Sequence, residues 1–152
     1  NETDIGKLLY MAGKAMSVAV PSTMGTLMAS GLMQAGKVLK GKTDLSLIEL
    51  CSLFKAYEDG VMHRGKAKVG EKTFLDGIDP AILSLEKSVE ANEDIQAAAQ
   101  KAYDASKAGY ENTSTMIAIH GRAATRGEAS RSLKDPGACV AMLMMEAFVK
   151  SL

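Results

Sequence analysis

The sequence predicts an all-α protein, a mainly antiparallel assembly of about six helices, and three observations carry that reading. Apolar residues recur at three- and four-residue steps through almost every segment, the period of one buried helical face. No strand-like alternation and no Asn-Gly hairpin signal interrupts that period. Apolar residues make up 47% of the chain, yet only 5% are aromatic, Trp is absent and there are 10 Met. Such a composition fills a core with Leu, Ile, Met and Ala between closely packed helices. A chain of 152 residues can bury one sizeable core, so a single domain over 1–152 is expected.

The elements follow in order. From Asp4 to about Val20, Ile5, Leu8, Leu9, Ala12, Met16 and Val20 form one stripe. Pro21 breaks the run, and a second helix is expected with Met24, Leu27, Met28, Leu32 and Met33 inward and Gly36 near its end. Ser46-Leu47-Ile48-Glu49 has the form of a capping box, after which Leu47, Leu50, Cys51, Phe54, Tyr57 and Val61 continue the third helix. Thr73 to Leu85 reads as helical, with Pro80 as a start, kink or break; Ile82, Leu83, Leu85 and Val89 carry the pattern towards Asn92, a plausible cap. A long alanine-rich helix is expected from Ile95 to about Ile119, weakened at Gly109 and Asn112. Asp135 precedes Pro136 at a first helical position, and Val140, Leu143, Met144, Ala147 and Phe148 form the last stripe.

Charge and cysteine usage narrow the function. The 18 basic and 18 acidic residues balance, which argues against broad nucleic-acid or anionic-membrane binding. Cys51 and Cys139 fall within apolar helical patterns and read as core thiols, which points to a reducing compartment. No apolar run reaches bilayer-spanning length, and the N-terminus lacks the character of a secretion signal, so a cytoplasmic protein is expected.

Against that neutral background two basic segments stand out. Gly121 to Ala138 carries Arg122, Arg126, Arg131 and Lys134 with glycines and serines, and Leu133 is its one large apolar residue. His63 to Thr73 again combines cations with glycines ahead of an apolar run. A basic connector is commonly just a solvated loop. Glycines that allow close backbone approach, next to helix N-termini with unpaired N–H groups, also make a phosphate site. Neither segment is a P-loop: Gly-x-x-x-x-Gly-Lys-Ser/Thr occurs in neither of them, and Gly65 to Thr73 has the wrong spacing. His63 and His120 both fall at expected helix ends, where histidine can meet terminal carbonyls, and neither is taken as catalytic.

These residues resemble the nucleotide-binding subunit or domain of dihydroxyacetone kinases, including the ADP-binding subunit of the phosphotransferase-system-dependent type. Gly121 to Ser130 followed by Asp135 to Ala138 is similar to that family's Gly-Arg-Ala-Ser-x-x-Gly-Glu-Arg-Ser loop and its Asp-Pro-Gly-Ala. Arg64 to Phe74 resembles Arg-Gly-Lys-Ala-x-x-Gly-Asp-Lys-Thr-Met. Asp4-Ile5-Gly6-Lys7-Leu8-Leu9 resembles a helix opening, with a glycine turn downstream at Pro21 to Gly25. Order and spacing agree over essentially the whole chain.

The resemblance implies an up-and-down helical barrel with nucleotide at one mouth, and phosphoryl transfer to dihydroxyacetone held on a partner subunit. ADP or ATP with Mg2+ would be the cofactors; a phosphotransferase-system protein could recharge retained ADP, and a homodimer is conceivable. It implies nucleotide contacts at Thr23 and Met24, at Gly65 and Phe74, and at Arg122, Asp135, Pro136 and Gly137. Each also has a plain structural role open to it. Arg122 could pair with a surface carboxylate, Asp135 could cap the helix at Pro136, Gly65 could end a helix, and Phe74, standing where the family has Met, reads as core.

Departures from the family are few. Pro21-Ser22-Thr23-Met24-Gly25 keeps only the last glycine of Gly-Gly-Ala-Ser-Gly, Ala124 replaces Ser and Ala129 replaces Arg. The family's acidic loop, three aspartates that hold magnesium, lies ahead of the Asp-Ile-Gly helix and has no counterpart in this sequence. Metal ligands are therefore expected upstream, and these 152 residues alone are expected to be a poor kinase. The alternatives are a noncatalytic interaction or regulatory domain on the same helical barrel, and the nucleotide domain of a related fatty-acid kinase.

Overall fold

A computed structural model describes residues 2–19 and 21–152. Its helices are α1 (Ile5–Ala19), α2 (Thr23–Val38), α3 (Leu47–Gly65), α4 (Leu75–Glu90), α5 (Ile95–Asn112), the short α6 (Gly121–Ala124) and α7 (Pro136–Ser151), with 3-10 turns at Thr113–Thr115 and Gly127–Ser130. Among the described residues there is no strand, so the all-α expectation holds. Val20, placed on the first stripe, lies outside them. The chain forms two compact units, Asn1–Lys66 and Ala67–Leu152.

The first unit stacks α1 on α2 and α2 on α3. Asp4 closes its start, accepting from the amides of Lys7 and Gly41 at 3.0 Å each, while the Ile5 amide donates to the Lys42 carbonyl at 2.8 Å. The expected capping box is present: the Ser46 amide donates to Glu49 Oε2 at 2.7 Å, and the Ser46 hydroxyl accepts from the Glu49 amide at 3.5 Å. Hydrogen bonds from Lys42 and then Ser46 hold the Glu49 carboxyl down at about 2.

The face that α1 buries is not the predicted one. Its buried residues are Gly6 and Gly13, whereas Leu8 is 46% exposed and Ala12 is also exposed. The helices approach backbone to backbone: a Cβ on Gly36 of α2 would come within 2.5 Å of the Gly6 carbonyl oxygen. On α2 likewise the small residues Gly25, Ala29, Gly31, Ala35 and Gly36 lie deepest with Met28, while Leu27, Leu32 and Met33 are half-buried. A search for large apolar stripes misses an interface built from glycine and alanine. On α3 the expected Cys51, Phe54, Tyr57 and Val61 are buried.

In the second unit α4 and α7 both pack on the antiparallel α5. Leu75, Ile78, Ile82 and Leu85 of α4 meet a lining of Ala98, Ala99 and Ala102 from α5 and Ala138, Ala141 and Met145 from α7, none more than 1% exposed. The α7 stripe is therefore turned from the predicted one: Leu143 is exposed and Val140, Met144 and Phe148 are half-buried. That helix is apolar on nearly every side, so periodicity could not fix its rotation.

Pro80 lies inside α4 without breaking it. Its missing N–H would have bonded the Asp76 carbonyl. That carbonyl instead faces Gly109 of α5, where a Cβ would sit 2.3 Å from it. Gly109 thus marks a close helix crossing and leaves α5 continuous to Asn112.

One boundary corrects the sequence reading and another agrees with it. α5 stops at Asn112 rather than near Ile119 because Thr113, Ser114 and Thr115 turn their hydroxyls back on the carbonyls of Tyr110, Glu111 and Asn112, at 2.6, 2.9 and 2.8 Å. Asn92, the plausible cap, closes α4: it takes φ 50°, its amide donates to Val89 and that of Glu93 to Ser88, a Schellman ending. Asp94 caps α5, accepting from the amides of Gln96 and Ala97 at 3.0 and 3.3 Å.

Candidate functional site

In the first unit, three sequence-predicted residues share one end. Ser22 caps α2, its hydroxyl accepting from the Gly25 amide at 3.0 Å while the Thr26 amide donates to the Ser22 carbonyl at 2.9 Å. Thr23 and Met24 occupy the first two helical positions, where amides have no intrahelical acceptor, and among the described residues neither amide finds another. Gly65 ends the antiparallel α3 one turn further in, and a Cβ there would sit 3.0 Å from Leu27 Cδ2. Lys66, not Gly65, takes the left-handed capping conformation at φ 59°. Of the first basic segment, His63 and Arg64 belong to the last turn of α3 and line a cleft of about 630 Å³ with Lys37 and Asp59.

The second unit gathers its loops at the end where α4 and α7 begin and α5 finishes. Here the remainder of the first basic segment is folded onto itself. Asp76 accepts from the amides of Gly70 and Thr73 at 2.5 and 2.8 Å, and Glu71 accepts from the Lys68 amide at 2.8 Å. Lys72, only 2% exposed and at φ 62°, donates its ammonium to the carbonyls of Met116, Ser130 and Arg131 at 3.1, 2.6 and 3.4 Å. Burial pushes its pKa down, with nearby Asp135 opposing and Arg131 adding to the shift. Residue-type composition holds no sign that this lysine is an internal tie rather than a phosphate contact.

His120 adds a second tie, its Nε2 lying 2.6 Å from Glu71 Oε2. That contact, ahead of the Lys68 amide, holds the Glu71 carboxyl below its ordinary range. The partner of His120 is thus a carboxylate rather than the terminal carbonyls that its place at a helix end suggests.

The second basic segment wraps around Ser130. This buried hydroxyl donates to the Gly127 carbonyl at 2.6 Å and accepts from the Ala118 amide at 2.9 Å. Arg131 is engaged as well, its Nε 3.2 Å from Glu128 and one terminal nitrogen donating to the Thr115 carbonyl at 2.5 Å. Between Gly121 and Gly127, both left-handed at φ 67° and 52°, the chain holds Arg122 and Arg126 out on the exposed side.

Arg122, Arg126, Lys134, Asp135 and Pro136 line one cleft of about 560 Å³, with Lys72 at its floor. Its cations are not equivalent. Lys72 is taken by carbonyls, and Lys134 pairs with Glu111 above the Tyr110 ring at 5.3 Å. Among the described residues the guanidinium groups of Arg122 and Arg126 have neither hydrogen bond nor ion pair. Asp135 caps α7 by accepting from the Ala138 amide at 2.7 Å, and its own amide donates to Thr113 Oγ1 at 2.9 Å. Burial raises its carboxyl above the ordinary range, against the lowering effect of the Ala138 and Gly137 amides.

Pro136 and Gly137 open α7, and Gly137 is buried. Phe74 is 2% exposed, so its ring belongs to the interior, the plainer of its two roles. Among the described residues no three His, Cys, Asp or Glu side chains gather as a metal site, and no helix is long and apolar enough to cross a membrane. The described residues do not fit a magnesium cage; the cleft's own carboxylate, Asp135, is occupied as a helix cap.

The two unpaired guanidiniums beside the cleft at the start of α7 are donors of the kind that anions accept from. The chain belongs to the DAK2 domain family, which it matches over residues 1–150. It is 34% identical over 145 residues to the ADP-binding subunit of the PEP-dependent dihydroxyacetone kinase of Escherichia coli (strain K12), covering 95% of this chain and 69% of that protein. The corresponding subunit of the second such kinase of Listeria innocua is 32% identical, over 98% of this chain and 68% of its own. An L-erythrulose kinase of Pectobacterium atrosepticum is 28% identical, with 93% of this chain matching 24% of that longer one. The dihydroxyacetone kinase of C. freundii shares the fold at a TM-score of 0.72 and 21% identity, over 98% of this chain and 24% of that one.

Proposed function

We propose that this chain is the nucleotide-binding part of a dihydroxyacetone-type kinase, a single domain that holds ADP or ATP while the phosphoryl group passes to a hydroxyl of dihydroxyacetone on a partner subunit. The observation that carries the reading is the cleft in which Arg122, Asp135 and Pro136 meet, with the Arg122 guanidinium unengaged. The relatives named as ADP-binding subunits support the same reading.

Phosphoryl transfer needs positioning and charge neutralisation more than covalent chemistry. Arg122 offers a planar fork of donors to phosphate oxygens. Asp135 fixes the start of α7 and so the wall of the cleft, and Lys72 fixes the loop that presents Arg122. Pro136 and Gly137 are further proposed contacts of the second unit, and Thr23, Met24 and Gly65 are proposed by themselves in the first; Phe74, 2% exposed, supports the second unit from its core. Magnesium would neutralise phosphate charge, and no cluster of carboxylates among the described residues is assigned to hold it. A phosphotransferase-system protein is the proposed phosphate donor, the cytoplasm the proposed compartment and a homodimer the proposed assembly. Ketose choice belongs to the partner subunit, which accommodates relatives named as erythrulose kinases.

Calorimetric titration with ADP, with and without magnesium, tests the reading. Binding that Arg122→Ala weakens at least tenfold, with unchanged helical circular dichroism, is the expected result. Equal binding by the variant would remove the cleft from the proposal.

A further inference from the structure

Four cations line the second-unit cleft, and the structure accounts for two of them. Lys72 lies beneath three carbonyls and Lys134 is paired with Glu111. Arg122 and Arg126 stand four residues apart on a continuous turn, the Arg126 amide donating to the Ala123 carbonyl at 3.1 Å, and both face the same cleft. The nearest acidic residue in the chain, Glu128, is held by Arg131. Like charges one turn apart repel, and a chain with balanced charge has carboxylates available to relieve them. The cleft's own carboxylate, Asp135, is taken up as the cap of α7.

We propose that Arg126 is a specificity-determining residue which, with Arg122, selects ligands carrying two or more adjacent phosphates over monophosphates. The inference deepens the nucleotide reading and rests on it for the ligand's identity; the family pattern leaves position 126 open, and only the cleft of this chain assigns it a role. Each guanidinium can bind a phosphate bidentately, and a diphosphate offers the two forks more non-bridging oxygens and more negative charge than a single phosphate, so the pair gains more from a diphosphate. Gly121 and Gly127, each at positive φ, bracket the turn and set both arginines towards the cleft. A volume of about 560 Å³ admits a diphosphate without displacing Lys134 from Glu111.

The test is calorimetric titration of the full chain with ADP, AMP and inorganic pyrophosphate, magnesium present and absent, for wild type, Arg126→Ala and Arg126→Lys. Loss of one charge-assisted contact predicts about tenfold weaker binding of ADP and pyrophosphate to Arg126→Ala. AMP affinity should hold within about twofold, and Arg126→Lys should recover part of the loss. The ADP-to-AMP preference therefore falls about tenfold. An unchanged preference in Arg126→Ala, with wild type binding ADP, overturns the inference and leaves the nucleotide reading standing. Pyrophosphate binding that depends on Arg126, with no preference for an adenine nucleotide, keeps the inference and overturns the nucleotide reading. Failure of wild type to bind any of the three overturns both.

Discussion

Residues 67–74 and 121–135 both set basic side chains close to glycine, yet the structure uses them in opposite ways. In the first, polar groups turn inward: Asp76 collects two amides and Lys72 three carbonyls. In the second, Ser130 and Arg131 do the internal bonding, and Arg122 and Arg126 are left facing a cleft. A basic loop reveals a ligand site only after each cation has been assigned its partner. Lys68 apart, which is exposed, the first loop is framework, while the second turns two arginines to a cleft.

Substitutions can break or sharpen this contrast. The largest effect is expected at Lys72: Lys72→Met strands buried carbonyls and should cost about 3 kcal/mol in urea unfolding, because charged hydrogen bonds are lost and acceptors left unsatisfied. A loss below about 1 kcal/mol would mean that the two loops are held by something else. Asp76→Ala frees the Gly70 and Thr73 amides and should cost about 2 kcal/mol by the same measurement. Removing both free cations, Arg122→Gln with Arg126→Gln, should shift stability by no more than about 0.5 kcal/mol, since neither side chain has a partner to lose. Marked destabilisation of that double variant would place the arginines in the framework and erase the distinction.

The smallest effect concerns the exposed pair His120–Glu71. Glu71 is held below its unfolded value of 4.5 chiefly by His120. A carboxyl with a depressed folded pKa contributes stability that is present above the unfolded value and is lost as pH falls through the folded one. The loss should therefore appear below pH 4.5. In His120→Gln, NMR titration should find the Glu71 carboxyl moved upward, and the acid limb of the stability curve should flatten. An unmoved carboxyl would show that the Lys68 amide alone holds it.

Much of this was legible in the sequence because it is local. The capping box at Ser46 and Glu49, the Pro21 break and the Asp135-Pro136 helix start depend on contacts within a few residues, and the buried positions of α3 follow its apolar period. The resemblance carried by Gly121 to Ala138 likewise directed attention to Arg122, Asp135 and Pro136, which share a cleft. Asn92 was legible as a cap, since the α4 pattern runs towards it. The Thr113–Thr115 turn could have been suspected from three successive hydroxyl residues, whose back-bonding competes with the helix.

What the sequence determined by itself was therefore the helical class, most helix starts and the family, since these depend on short-range periodicity, capping chemistry and motif order. Tertiary structure alone decided which face α1 and α7 bury, because glycine and alanine interfaces leave no stripe and an apolar-all-round helix has no preferred rotation. It also decided which cations are free. Lys72 and Arg126 are alike as letters in basic loops; only the carbonyls of Met116, Ser130 and Arg131, brought from more than 40 residues away, distinguish a buried tie from a waiting charge.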